Sequence, residues 1–496
     1  MAVVIALDAG TTGVRAFAVD ETGAPVGFRY QELTQHFPRP GWVEHDPTEI
    51  WTAMVAVTNR LIADLHQPVA ALGITDQRET VVAWDRRTGR PLHRAIVWQD
   101  RRTAARCDEL REAGALDVVR PATGLVLDPY FSASKVEWLL REGGVAPGPN
   151  LCVGTIDSWL LWNLTGGKVF ATEASNASRT MLFDIRTLEW SSELCELFGV
   201  PRSALGEVRP SSGRFGLTVG DTGLPAGIPI SGVAGDQQAA LFGQACFTPG
   251  MTKNTYGTGS FVLMNVGPTC PEPVEGLLTT VAWTLADGRG THTDYAYEGS
   301  IFSTGSAVQW LRDGLGLIGA AEEVGPLAET VASTDGVYLV PAFTGLGSPW
   351  WDPYARGLLV GFTRGTTRAH IARAVIEAMA FQTRDVVDAM AAAADHSVLE
   401  LRADGGASAA DLLLSIQADQ LGVPVTRAAV PETTALGAAY LAGLAEGVWG
   451  STDELAELWT ADVTVPPSAE RATADAQHAR WLDAVGRSRA WEPPGP

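Results

Sequence analysis

Two neighbouring stretches of the chain hold residues that could accept a proton and bind an anion. Asp236 follows a glycine at the predicted start of a helix, and a Gly-Thr-Gly turn stands at 257–259. A carboxylate near a hydroxyl can accept its proton, and glycine lets the backbone approach a phosphate closely. This pairing indicates phosphoryl transfer to an alcohol, with Asp236 as general base. The alternative is that Asp236 only caps its helix.

A second turn rich in glycine and threonine, Asp-Ala-Gly-Thr-Thr-Gly-Val-Arg at 8–15, opens the chain. Thr11 and Thr12 could donate hydrogen bonds to a phosphate. Arg15 could reach a transferring phosphoryl group, and Asp8 could hold Mg²⁺ through water. One such turn alone is more typical of a plain hairpin. Two of them in corresponding places favour phosphate binding.

Charged and aromatic side chains that follow a predicted buried strand at 69–75 could bind an alcohol. Arg78 and Glu79 place a donor fork beside an acceptor, which suits vicinal hydroxyls because each hydroxyl both donates and accepts. A surface ion pair is the alternative for these two residues. Trp98 could cover the apolar edge of a small polyol, although such a tryptophan is more often part of a core. Tyr130 could add a phenolic hydrogen bond.

The predicted elements repeat once along the chain. A strand at 3–8, the first turn and a strand at 16–20 form a hairpin, and residues 252–266 repeat this order around the second turn. Two half-chains with one phosphate-binding hairpin each indicate a duplicated architecture with a cleft between the halves. A Thr-Pro-Gly sequence at 248–250 marks the boundary, so the predicted domains are 1–248 and 249–496.

Helix and turn signals occur at further places. Asp46 is a predicted N-cap, with Pro47 at the first helical position. Residues 367–394 have apolar side chains near a 3.6-residue period, which predicts a long amphipathic helix. The alanine-rich segment 432–447 predicts a helix whose small side chains permit close packing. A Gly-Gly turn at 405–406 could lie against a base or ribose, or be an ordinary connection.

The composition is that of a large folded protein. The 496 residues are enough for two large domains, and 46% hydrophobic with 19% charged residues exclude a disordered chain. No apolar run reaches the ~18 residues of a membrane span, and the N-terminus lacks the basic start of a signal peptide. Five widely spaced cysteines argue against disulfides and zinc and indicate the cytoplasm. A net charge of -21 disfavours nucleic acid and anionic membranes as partners.

Together these stretches resemble the FGGY family of carbohydrate kinases, and the resemblance runs from Val3 to about Trp491. The resemblance implies an α/β fold of two duplicated actin/hexokinase-like (ribonuclease H-like) ATPase domains that flank a central cleft. It also implies that ATP, with Mg²⁺, phosphorylates glycerol to sn-glycerol 3-phosphate by in-line transfer. Further stretches that carry the resemblance lie at 40–51, 130–139, 176–184, 234–244 and 341–357.

Carried over by position, the resemblance implies a role for each matching residue. Asp236 would be the base, and Arg15 would assist phosphoryl transfer. Asp8 and Asp236 would position Mg²⁺. The residues implied to bind glycerol are Arg78, Glu79, Trp98, Tyr130, Asp236, Gln237 and Phe261. Those implied to contact the nucleotide are Thr11, Thr12, Arg15, Thr258, Gly305, Gln309 and Gly406.

The sequence departs from the family pattern at three positions. Ala9 stands where the family usually has glutamine, and Asp76 and Ala410 stand where asparagine is expected. The nearest alternative function is a kinase of another polyol or ketose, and the alternative from another class is a non-catalytic ATP-dependent clamp or filament protein. The Arg-Glu pair at 78–79 favours glycerol. By resemblance we expect a cytoplasmic homodimer or homotetramer, with glycerol and ATP as partners.

Overall fold

The computed structural model describes residues 2–287, 290–394 and 396–492 of the chain. The strands, in chain order, are β1 Val3–Ala9, β2 Gly13–Val19, β3 Pro25–Glu32, β4 Glu44–His45, β5 Val69–Asp76, β6 Val82–Asp85, β7 Ala95–Ile96, β8 Leu151–Gly154, β9 Ala171–Glu173, β10 Phe183–Asp184, β11 Glu189–Trp190, β12 Glu207–Arg209, β13 Ser212–Leu217, β14 Pro229–Gly235, β15 Thr252–Tyr256, β16 Ser260–Gly267, β17 Leu278–Asp287, β18 Gly290–Ile301, β19 Tyr338–Val340, β20 Leu358–Val360, β21 Leu401–Asp404, β22 Val425–Ala428 and β23 Ala461–Val465.

The helices agree with the predicted ones where the sequence signals are strong. Asp46 caps α1 through a hydrogen bond from the Thr48 N–H, and Pro47 is its first residue, as predicted. No helix within the described ranges combines the length and the apolar character needed to cross a bilayer. The α-helices are α1 Pro47–Asp64, α2 Ala104–Glu112, α3 Leu116–Thr123, α4 Ser132–Arg141, α5 Ile156–Leu164, α6 Ala174–Ser178, α7 Ser192–Leu197, α8 Asp236–Gly243, α9 Gly305–Gln309, α10 Val324–Glu329, α11 Arg368–Ala394, α12 Asp411–Leu421, α13 Thr433–Ala445, α14 Thr452–Leu458 and α15 Arg471–Ser488.

Thirteen of the described strands form one mixed sheet, in the order β23-β22-β21-β15-β16-β18-β17-β13-β14-β5-β1-β2-β3. Strand β1 pairs antiparallel with β2 and parallel with β5, while β15 pairs antiparallel with β16 and parallel with β21. Both predicted hairpins are therefore present, and they occupy equivalent places in two similar halves of the sheet. The halves meet where β13 pairs with β17.

Strand β1 is buried on both faces, which explains its unbroken run of apolar residues. Ile5 and Leu7 lie in a hydrophobic cluster with residues of α1 and α5. Val4 and Ala6 point to the other face and pack in a second cluster with residues of α8 and α13. Helices thus cover both sides of the sheet at this strand.

Helix α13 ties the two halves of the chain together. It lies late in the sequence, yet it packs on α8 and on strands β1, β5 and β14. The packing is close: a Cβ added at Gly73 would lie 2.1 Å from the Ala438 carbonyl oxygen, and one at Gly437 would lie 1.8 Å from the Ala239 carbonyl oxygen. The small residues of the predicted alanine-rich helix permit this approach, so α8 and α13 form a tight support beneath the strand ends.

The carboxyl ends of β1, β5 and β14 lie side by side. Ala9 and Gly235 are both in register with Asp76, the last residue of β5. The Gln77 N–H then donates to the Ala9 carbonyl oxygen at 2.9 Å, so the chain after β5 continues beside the first turn. Ligand sites of open α/β sheets form at such strand ends. Asp8, Arg78 and Asp236, which three separate segments supply, are brought to one edge in this way.

Candidate active site

Asp236 is the first residue of α8 and lies at the opening of the site. Gly235 is the N-cap, so the interpretation of Asp236 as a capping residue is wrong. Its Oδ1 accepts the Gln237 N–H at 2.8 Å and forms an ion pair with Arg78 Nε at 3.2 Å. A Cβ at position 235 would lie 2.6 Å from Arg78 Cγ, so only glycine leaves room for the Arg78 side chain against this part of the backbone.

The Asp236 carboxylate is both accessible and partly dehydrated. About 31% of its side-chain surface remains open to solvent, so a substrate can reach it. The surrounding protein nevertheless raises the pKa of Asp236 by desolvation, and the charges of Arg78 and Lys253 partly offset this rise. Its basicity is therefore higher than that of an ordinary aspartate, which suits a general base.

Arg78 and Glu79 lie in a buried cluster of charges, so their interpretation as a surface ion pair is wrong. They are 2% and 1% exposed. The Arg78 guanidinium pairs with Glu298 through Nη1 at 2.5 Å and Nη2 at 3.0 Å. Arg179 donates from Nε to Glu79 at 2.6 Å and from Nη2 to Glu298 at 3.0 Å. Two arginines and two glutamates thus neutralise each other in a region that excludes water.

Glu79 has an unusual backbone conformation. Its φ is +62°, in the left-handed region that L side chains rarely adopt. Such strain costs of order 1–3 kcal/mol and persists only where the surroundings hold it. The ion pair with Arg179 and the hydrogen bond that Ser132 Oγ donates to the Glu79 carbonyl oxygen at 3.1 Å provide that support. In this conformation Glu79 Oε1 lies 2.6 Å from Arg179 Nε and 3.7 Å from Arg78 Nε.

Three aromatic rings from separate segments face the charged cluster. The Trp98 ring lies 5.5 Å from the Tyr130 ring and 6.2 Å from the Phe261 ring. Arg78 lies 5.9 Å from the Phe261 ring and donates from Nη2 to the Tyr130 hydroxyl at 3.2 Å. Gln237 is buried nearby and accepts a hydrogen bond from Lys253 Nζ. All the residues predicted to bind the alcohol are therefore in one neighbourhood.

The second hairpin and the start of α9 form a continuous turn structure. The Gly305 N–H donates to the Gly257 carbonyl oxygen and the Ser306 N–H to the Thr258 carbonyl oxygen, both at 3.0 Å. Thr258 is exposed, as are Gln309 at the end of α9 and Gly406. The Gly-Gly turn lies beside this hairpin, since a Cβ at Gly405 would lie 2.5 Å from the Tyr256 carbonyl oxygen.

The first hairpin contains Arg15 and the two threonines. Thr11 is half-buried and Thr12 is exposed. Arg15 on β2 forms an ion pair with Glu432, the residue before α13, and both side chains keep about a quarter to a third of their surface open. The guanidinium is therefore held between the first hairpin and the start of α13, where an anion can still compete for it.

Asp8 and Asp236 are the residues predicted to hold a divalent cation. Burial raises the pKa of Asp8 to about 6, Arg15 opposes this rise, and the charge of Asp236 adds to it. The two carboxylates lie at neighbouring strand ends, since Ala9 and Gly235 are both in register with Asp76, and hard oxygen donors suit Mg²⁺. Within the described ranges, no cluster of three or more metal-binding side chains is found. Two carboxylates completed by phosphate oxygens match the way that Mg²⁺ binds in phosphoryl-transfer sites.

Glu298 and Arg179 were not predicted as parts of the site, and Lys253 stands out in the sequence only for its place beside the second Gly-Thr-Gly turn. Arg179 lies in the stretch 176–184, whose resemblance to the family was the only signal. Glu298 is a charged residue in the buried part of β18, residues 294–301, and such a position by itself names no partner. Burial lowers the pKa of Lys253 to about 8, and its Nζ donates to Thr255 Oγ1 at 2.9 Å.

A comparison with family models defines the class of protein. Residues 3–243 match the N-terminal domain of the FGGY family of carbohydrate kinases, and residues 252–446 match its C-terminal domain. The chain therefore belongs to the FGGY family of carbohydrate kinases. The predicted α/β fold of two duplicated actin/hexokinase-like ATPase domains is confirmed.

Individual relatives narrow this class. The chain is 53% identical over 499 residues to glycerol kinase 2 of Thermotoga maritima. The match covers 99% of this chain and all of the relative. It is 54% identical over 504 residues to the glycerol kinase of Trichlorobacter lovleyi, with full coverage of both. The crystal structure of Plasmodium falciparum glycerol kinase with ADP superimposes with a TM-score of 0.92 at 35% identity, over 98% of each chain.

Proposed function

We propose that the protein transfers the terminal phosphoryl group of ATP to glycerol and forms sn-glycerol 3-phosphate. The observation that carries this proposal is the meeting of Asp236 Oδ1 with Arg78 Nε at 3.2 Å, beside Glu79 and three aromatic rings. A base, a hydrogen-bonding pair and an apolar wall are what a small polyol requires. Full-length relatives named glycerol kinase, at more than 50% identity, support the same substrate.

The donors of Arg78 determine where the acceptor binds. Four hydrogen bonds from Nη1 and Nη2 go to Gln238, Glu298 and the Tyr130 hydroxyl. The Nε edge faces Asp236 and lies 3.7 Å from Glu79 Oε1. A glycerol hydroxyl at this edge would accept from Arg78 Nε–H and donate to Glu79, while Trp98 and Phe261 would cover the carbon chain. The terminal hydroxyl would then lie next to Asp236.

Asp236 would accept the proton of that hydroxyl as its oxygen attacks the phosphorus atom. The carboxylate is ready for this step because its pKa is raised and its surface is partly open. One proton passes to Asp236, one bond forms between the glycerol oxygen and phosphorus, and the bond to ADP breaks in line with it. Exclusion of water by the aromatic wall would prevent hydrolysis of ATP.

Arg15 and the two hairpins would stabilise the phosphate charge. The Thr11, Thr12 and Thr258 hydroxyls and the backbone N–H groups of both turns supply donors, and Arg15 would move from Glu432 to the transferred group. Gly305, Gln309 and Gly406 would contact the rest of the nucleotide. Asp8 and Asp236 would hold Mg²⁺, which supplies charge neutralisation to the phosphates when bound.

The remaining expectations are part of the same proposal. We infer that the two domains are 1–248 and 249–496, which is supported by family-model matches that end at 243 and resume at 252. We also infer that the protein acts in the cytoplasm as a homodimer or homotetramer and does not bind nucleic acid or insert into membranes. The charge of -21 supports the absence of nucleic-acid binding and disfavours anionic membrane surfaces as partners.

An acceptor panel tests the proposed function. Purified protein is supplied with ATP and Mg²⁺, and ADP release is followed with glycerol, dihydroxyacetone, erythritol or xylulose. We expect the highest kcat/KM with glycerol. A clear preference for a larger polyol or a ketose would assign the protein to another substrate of the family. No acceptor-dependent ADP release would favour a non-catalytic ATP-dependent protein.

A further inference from the structure

Glu298 lies on the opposite half of the sheet from the two residues that it binds. It lies near the C-terminal end of β18, where it is in register with Leu263 of β16, the second strand of the second hairpin. The donors to its carboxylate are Arg78, which follows β5, and Arg179, which follows α6. Glu298 is fully buried. A fully buried carboxylate that reaches between distant segments needs an explanation beyond local folding.

The geometry of the Glu298 carboxylate fixes both members of the acceptor pair. Its two oxygens accept hydrogen bonds from the two terminal nitrogens of Arg78 in a bidentate pair. This pair determines the plane of the guanidinium and turns the Nε edge towards Asp236. The oxygen Oε1 also accepts from Arg179 Nη2 at 3.0 Å, while Arg179 Nε binds Glu79 at 2.6 Å. Glu298 therefore orients Arg78 directly and Glu79 through Arg179.

The charge balance of the cluster makes this role specific to a carboxylate. Arg78, Arg179, Glu79 and Glu298 give two positive and two negative charges with almost no solvent contact, and the Asp236 carboxylate beside Arg78 is balanced by the buried Lys253 ammonium. Neutralisation of Glu298 would leave one excess positive charge in this dry region. Glu79 would then be the only glutamate that can pair with Arg78 and Arg179. Its carboxylate would turn towards the two arginines and away from the bound acceptor.

We propose that Glu298 is a positioning residue for the acceptor site: it sets Arg78 and Glu79 in the orientation that binds the hydroxyls of the alcohol. This inference rests on the proposed function. The residue touches neither substrate in this arrangement, so its effect passes through the two side chains that it holds. Binding of the acceptor should depend on it much more than binding of the nucleotide.

Steady-state kinetics of two Glu298 variants test this proposal. In Glu298→Gln the shape is kept and the charge is lost, and we expect the KM for glycerol to rise roughly tenfold or more, as for other broken buried pairs. The KM for ATP should change by less than about twofold, because the hairpins are untouched. Glu298→Asp keeps the charge but shortens the side chain, so it should give a smaller rise and remains informative if Glu298→Gln does not fold.

A matched control separates positioning from general destabilisation. Asp385 is a buried carboxylate on α11 that accepts from His478 Nε2 at 2.7 Å and Trp481 Nε1 at 2.8 Å, and it has no part in the acceptor site. Asp385→Asn should lower the melting temperature and leave the KM for glycerol unchanged. Equal rises in both KM values of a Glu298 variant, or an unchanged KM for glycerol in folded Glu298 variants, would overturn the proposal.

The wild-type protein distinguishes failure of this inference from failure of the proposed function. Absence of glycerol-dependent ADP release by the wild type would overturn the proposed substrate. The acceptor that the wild type prefers in the panel would then replace glycerol in the variant assays. A selective rise in the KM for that acceptor would still support the role of Glu298, and an unchanged KM would still overturn it.

Discussion

Trp98 Nε1 donates a hydrogen bond to Thr11 Oγ1 at 2.9 Å. Trp98 is part of the proposed acceptor site and Thr11 of the first hairpin, which we propose binds phosphate, so one hydrogen bond joins the two proposed subsites. The backbone N–H of Trp98 also donates to Thr80 Oγ1 at 3.2 Å. This second hydrogen bond fixes the backbone that carries the indole ring. The position of the acceptor is therefore linked to the position of the turn that would hold the phosphates.

The change Trp98→Phe tests this link. Phenylalanine keeps an apolar wall and removes the indole N–H, at a cost of about 1 kcal/mol for a typical hydrogen bond. We expect kcat/KM to fall about fivefold for glycerol and for ATP alike, because the link serves both subsites. Steady-state kinetics with each substrate varied in turn measure this effect. A fall in kcat/KM for glycerol alone would contradict the link and would mean that Trp98 serves only as part of the apolar wall.

Arg15 is the side chain that we expect to stabilise the transferred phosphoryl group. Removal of such a charge commonly lowers kcat by about a hundredfold or more. Arg15→Gln should show that loss, with the KM for glycerol nearly unchanged. The control is Arg29→Gln, which breaks an exposed pair with Asp64 on neighbouring elements and should leave kcat within about twofold. Similar kcat values for both variants would remove Arg15 from the mechanism.

Asp76 makes stability depend on pH. It is fully buried behind the site, where it accepts from Asn176 Nδ2 at 3.0 Å. Desolvation, with repulsion from Asp157, raises the pKa of Asp76 well above its usual value. The folded protein therefore favours the protonated acid, and this contribution to stability is present at low pH and lost as the pH rises through the folded-state pKa.

The variant Asp76→Asn stays neutral at every pH, so it should be more stable than the wild type, by a margin that grows from pH 4 to pH 9. Melting temperatures across this range measure the effect. Asp85 provides the opposite case, since hydrogen bonds from Thr88 lower the pKa of Asp85 in an exposed turn. Asp85→Asn should destabilise the protein mainly at higher pH. A constant difference between wild type and Asp76→Asn would contradict the prediction.

The sequence was sufficient for features that depend on local patterns. Both hairpins, the cap at Asp46 and the long helix α11 follow from turn residues, capping chemistry and periodicity, and the structure has them where they were expected. The placement of Asp236 at the start of α8 also followed from the glycine before it. The sequence could not show that Asp236 is not the N-cap, because the N-cap and the first helical residue differ by only one position.

Features that depend on distant contacts could not be predicted in this way. Arg78 and Glu79 were equally compatible with a surface pair, because their burial depends on Arg179 and Glu298, which are about one hundred and two hundred residues away in sequence. The packing of α13 across the first half of the sheet depends on the fit of Gly73 and Gly437 against carbonyl groups. Neither relationship leaves a periodic signal in the chain.

Asp236 is the residue that we propose accepts the proton of the acceptor hydroxyl. The most direct measurement is the glycerol-dependent kcat of Asp236→Asn, together with the affinity for ATP in the same preparation. Asparagine keeps the size of the side chain and cannot accept this proton, so we predict a fall in kcat of about 10²–10⁴-fold with ATP binding largely unchanged. A kcat close to that of the wild type would contradict the assignment of the base.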